Sequence, residues 1–156
     1  MNLEQIEQLR QIVKEKEWPC SSEHWDIEFN KDTNCLLYAL GLKYADKDRN
    51  VFVYNSYIGL GEQLEGLMDE LQIRYRKISS CDEAEENEFI IKGFEFFHPL
   101  LMKNDFHIIR RDPSGVWSHK EGWIYRPNII KRKEDLFFYY FDNVREYTYA
   151  VRKETL

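Results

Sequence analysis

The stretch Asp105-Phe106-His107-Ile108-Ile109-Arg110-Arg111-Asp112-Pro113-Ser114-Gly115-Val116-Trp117-Ser118-His119-Lys120 restricts the fold more than any other part of the chain. Two β-prone runs flank Asp112-Pro113-Ser114-Gly115, in which proline presets its own φ and glycine accepts a positive one, so the segment predicts a tight hairpin. Two of the four histidines, His107 and His119, then sit on one hairpin. Strand side chains alternate with period two and hairpin partners face each other, so these two can stand side by side on one sheet face.

A second focus is Asn34-Cys35-Leu36-Leu37-Tyr38-Ala39-Leu40-Gly41. Asp32, Thr33 or Asn34 can cap a helix of strong formers that stops at Gly41, which places Cys35 in the first turn of an apolar helix. Backbone N–H groups and the helix dipole at that end favour a thiolate and can receive an anion.

Around these two segments the pattern predicts a helix over 2–17, with Leu3, Ile6, Leu9, Ile12 and Val13 on one face, ending before Pro19. A polar and aromatic connection holding Cys20, His24 and Trp25 follows, and later a short strand over 51–54. Leu60, Leu64, Leu67, Met68 and Leu71 mark another helix, although Gly61 and Gly66 each cost it about 1 kcal/mol relative to alanine. Strands are expected over 73–78, 89–97, 106–111 and 116–120, with a last one ending at Val151 and beginning at Tyr139 or Glu146. Helices first and an antiparallel sheet after is the α+β pattern. A chain of 156 residues is most simply one domain over 1–156, helical to about residue 72 and β-rich from about residue 73.

Charge narrows the function classes. A net charge of −6 argues against a nucleic-acid partner, because phosphate binding needs a concentrated positive field. The charge is uneven: residues 81–88 carry five acids and no base, while 120–133 carry five bases against the single acid Glu121. Both runs read first as solvated loops, and the basic one has the alternative of a rim over a site for an anionic substrate. Cys20, Cys35 and Cys81 form no CxxC pair, which indicates neither a disulfide framework nor a zinc knuckle, and no cofactor or metal is expected. The start of the chain has no secretory pattern and no apolar run is long enough to span a bilayer, so the expectation is a cytoplasmic protein with reduced thiols and no membrane partner.

A thiolate nucleophile needs an imidazole to take its proton, and the imidazole needs a third polar group to fix its tautomer. Asn34-Cys35 opening an apolar helix, His107 opening a strand and His119 ending the next supply those parts in one order. That order resembles the papain-like cysteine hydrolases of the NlpC cell-wall-peptidase type. The strings Asn-Cys-x-x-Tyr-Ala-Leu-Gly and Asp-Phe-His-x-x-Arg-x-Asp-x-x-Gly-x-Trp-Ser-His-Lys-x-Gly-Trp are similar to a poorly characterised bacterial and phage-associated branch of that fold, over roughly residues 33–125.

The resemblance implies a papain-like α+β fold, with N-terminal helices packed on a C-terminal antiparallel sheet. It also implies Cys35 as nucleophile, His107 as base and His119 as orienter, acting on a peptide or isopeptide amide of a peptide or protein substrate. Asn34 is a candidate oxyanion donor beside the Cys35 N–H. Trp117, which with Trp123 flanks His119, reads either as core or as the wall of a substrate cleft. The pattern departs from the peptidases at Leu36-Leu37, where a small residue is usual, and at Arg110-Arg111. Those departures fit the alternative of a non-catalytic binding, inhibitor or immunity-type protein that occupies a protein partner. A zinc site from Cys35, His107 and His119 ranks lower, because no pair has zinc-finger spacing. His24 and His98 read as loop or strand-end residues, and Cys20 and Cys81 have no assigned role.

Overall fold

The structure is a computed structural model that describes residues 34–41, 52–121 and 128–152. Two helices, α1 (Cys35–Ala39) and α2 (Leu60–Glu70), precede the strands β1 (Tyr75–Lys77), β2 (Glu88–His98), β3 (Lys103–Arg111), β4 (Trp117–His119), β5 (Asn128–Ile129) and β6 (Arg145–Arg152). The expected helix over 2–17, the connection holding Cys20, His24 and Trp25, and Trp123 lie outside the described residues.

The strands form one antiparallel sheet in the order β1-β6-β2-β3-β4-β5. The described part is thus mostly β, compatible with the α+β class at that coarse level. β2 lies between β6 and β3 and is buried almost continuously, as an inner strand covered on both faces must be. Boundaries differ from the sequence reading where neighbours decide them. β1 pairs only over Tyr75–Lys77, β3 starts at Lys103 because it follows β2 back from the turn, and Phe52 to Tyr54 join no strand. β5 was not expected; two residues carry no periodicity.

The two faces of the sheet bury different groups. On the helix side, Phe89 and Ile91 of β2, Ile108 of β3 and Tyr149 and Val151 of β6 pack with α1 and α2. Phe94 and Phe96 of β2 and Ile109 of β3 pack on the other side against Leu136 and Phe138. α2 lays Leu60, Leu64, Leu67 and Met68 on the sheet, four apolar residues on one stripe. Its Gly61 has a packing reason: a Cβ there would stand 2.7 Å from the Tyr147 ring. Gly66 has none, since a Cβ would meet nothing within 4 Å.

α1 is short and buried on every side, as its all-apolar sequence requires. Asn34 is the N-cap, with Oδ1 accepting the Leu37 N–H at 2.9 Å. Gly41, at φ 72°, follows the last turn and donates its N–H to the Tyr38 carbonyl at 2.9 Å. Arg110 ties this helix to the hairpin. Its side chain is fully buried, donates from Nη1 to the Ala39 carbonyl at 2.9 Å and from Nε to Asp112 Oδ1 at 2.6 Å, and lies over the Phe89 ring at 4.2 Å. A cation at a helix C-terminus satisfies both the orphan carbonyl and the dipole. Arg110, which departs from the peptidase pattern, is therefore a strut.

Candidate active site

The hairpin closes where its turn residues place it. The Gly115 N–H donates to the Asp112 carbonyl at 2.8 Å and the Asp112 N–H to the Val116 carbonyl at 3.0 Å, with Gly115 at φ 93°. The register then sets Ile109 opposite His119 and Arg110 opposite Ser118. His107 lies two residues before Ile109, so it is the diagonal neighbour of His119 on the same face. The rings meet: His107 Nε2 is 2.8 Å from His119 Nδ1.

A carboxylate orders the pair. Glu121 Oε1 stands 3.5 Å from His119 Nε2, which favours a proton on that nitrogen. His119 Nδ1 is then the acceptor, His107 Nε2–H the donor, and His107 Nδ1 keeps the free lone pair. Glu121 was missed as a site residue in the sequence; the available signal was its position two residues after His119, where an extended chain returns to the same side. Both histidines are buried, and burial lowers both pKa values, His107 to about 3 with help from the nearby His119. Burial thus disfavours the charged form of each, most strongly at His107. His107 also packs on Phe137 and Phe138, at 5.5 and 5.9 Å between ring centres.

Cys35 approaches from the other side of the sheet. α1 packs on the Ile108 face, and Tyr38 of α1 shares a 2.7 Å hydrogen bond with Ser118 Oγ on that face. The backbone of Ile108, the residue directly after His107, hydrogen-bonds the Cys35 sulfur, as do the backbones of Leu36 and Cys35 itself. These bonds favour a thiolate, but burial outweighs them and, with the Asp105 carboxylate, pushes the thiol up to about 12. Lys120, fully buried, is an electrostatic neighbour of Cys35, and burial pulls it down to about 8. Among the described residues no hydrogen bond joins Cys35 to either histidine. The structure thus brings His107 and His119 together and brings Cys35 to the peptide beside His107.

Asn34 spends its side-chain oxygen on the helix cap, which leaves its amide nitrogen for a further bond. Trp117 is half-buried at the far end of β4, against the apolar cluster that contains Ile109 and Phe138. His98 closes the β2–β3 turn, its Nδ1 accepting the Leu100 and Leu101 N–H groups at 3.2 and 3.3 Å. Cys81 lies in a short 3-10 turn, partly exposed. Among the described residues no three His, Cys, Asp or Glu side chains converge to hold a metal ion, and no helix is long and apolar enough to cross a membrane. Comparison with protein-family models, with curated proteins and with solved structures finds no match to this chain.

Proposed function

We propose that this chain is a papain-like cysteine hydrolase that cleaves a peptide or isopeptide amide. The observation that carries the reading is the ordered pair His107–His119, which presents one free imidazole nitrogen on the residue whose neighbouring peptide touches the Cys35 sulfur. Cys35 and His107 stand on opposite faces of β3, so the reaction requires a displacement of α1 against β3 that brings the sulfur to His107 Nδ1. The thiol then passes its proton there as sulfur attacks the carbonyl carbon. Protonated His107 then gives that proton to the leaving amine, and water releases the acyl group from sulfur by the reverse sequence. Thiol and imidazole both start neutral, so charge develops during attack. The Ile108, Leu36 and Cys35 backbone groups and Lys120 favour that charge around the sulfur. His119, held by Glu121, orients His107.

The test is hydrolysis of a panel of fluorogenic peptide and isopeptide amides by wild type, Cys35→Ala and His107→Ala, with circular dichroism as the control for folding. Release by wild type that disappears in both variants supports the reading. Equal release by all three sinks it.

A second reading, a binding or inhibitor protein on the same scaffold, has its own support. Leu100, Leu101 and Met102 at the β2–β3 turn are 87%, 55% and 72% exposed, an apolar tip of the kind that seats in a partner. Cys35 is also buried, away from any incoming chain.

A further inference from the structure

On the side of the sheet away from α1 lies a cleft of about 490 Å³, within the range of small-ligand sites. Phe94, Ile109, Leu136 and Phe138 form its apolar floor, and Trp117 lines it as well. Its cations are Lys92, Lys131, Arg132 and Lys133, against the single acid Glu146. Four bases to one acid is the reverse of the chain as a whole, which carries −6. The cations are also unequally used. Arg132 is held by Asp135 at 2.9 Å, and Lys92 is 4.0 Å from Glu146 with its ammonium 5.6 Å from the centre of the Trp117 ring. Lys131 and Lys133 form no ion pair among the described residues.

We infer that this cleft binds a small amphiphilic anion, an aliphatic or aromatic body bearing one carboxylate or phosphate. The body buries against Phe94, Ile109 and Phe138, removing apolar surface from water on both sides of the contact. The head stays at the rim, where Lys131 and Lys133 supply charge that no carboxylate among the described residues answers. Trp117, half-buried beside Lys92, offers a flat face to the body. The inference does not depend on Cys35 and stands or falls apart from the hydrolase reading.

Isothermal titration of the full chain with decanoate and with the neutral decanol separates the two parts of the claim. The expected result is saturable one-to-one binding of decanoate at least tenfold tighter than decanol. The double variant Lys131→Gln/Lys133→Gln, confined to exposed side chains, should cost decanoate at least tenfold and leave decanol unchanged. Lys103→Gln, on the hairpin that turns away at His98, is the control and should change neither. Absence of saturable decanoate binding, equal affinity for acid and alcohol, or an undiminished affinity in the double variant would each overturn the assignment.

Discussion

His107 and His119 share a 2.8 Å hydrogen bond between Nε2 and Nδ1 across the β3–β4 hairpin, and Glu121 on the outer nitrogen of His119 gives that bond a direction. The direction leaves His107 Nδ1 without a proton. Long-range nitrogen-15 spectra of labelled protein at pH 7 should therefore show His107 with its proton on Nε2. In Glu121→Gln the preference should weaken and the ring signals broaden; a Nδ1–H tautomer in wild type would contradict the ordering.

The same burial predicts how stability depends on pH. His107 titrates at about 3 in the fold and near 6.5 when unfolded, so between these values the unfolded chain binds a proton that the native one refuses. Stability is complete above 6.5 and falls as pH drops, by about 1.4 kcal/mol per pH unit for one fully coupled group, until His107 itself protonates. His119 shifts the same way and adds to the slope. Urea midpoints at pH 7.5, 6.5, 5.5 and 4.5 should decline less steeply in His107→Gln than in wild type.

Arg110 and Asp112 form a buried ion pair, and the guanidinium also holds the end of α1. Removing one partner strands a charge in the core, so Asp112→Ala should cost about 3 kcal/mol or more. Chemical denaturation measures this directly. A loss below about 1 kcal/mol would mean that the pair is open to solvent.

The two α2 glycines should respond with opposite signs. Gly66→Ala adds a methyl to open space and should stabilise by about 1 kcal/mol through helix propensity. Gly61→Ala drives a methyl into the Tyr147 ring and should destabilise. Melting temperatures of both variants against wild type decide the matter.

Some of this arrangement is legible in the sequence and some is not, and range is the reason. The turn at 112–115 and the Asn34 cap are set by residues within three positions of each other, so local chemistry suffices to read them. The pairing of His107 with His119 follows from that turn and the period of two. Arg110 reads as an anomaly because its partner, the Ala39 carbonyl, is 71 residues away. Gly61 reads as a cost because the ring it makes room for belongs to β6. The insertion of β6 between β1 and β2 leaves no local trace either. Alternation along β3 was available, and it bears on the site: Ile108 faces α1 while His107 faces Phe138, so Cys35 and His107 approach the same stretch of backbone from two sides.

The central claim is that Cys35 acts as a nucleophile through His107. Incubation with 4-nitrophenyl acetate, followed by intact mass and peptide mapping, measures it most directly. The account predicts a single acetyl group on Cys35 that forms in wild type and fails to form in a folded His107→Ala. An unmodified Cys35 in wild type, or equal acetylation without His107, would contradict it.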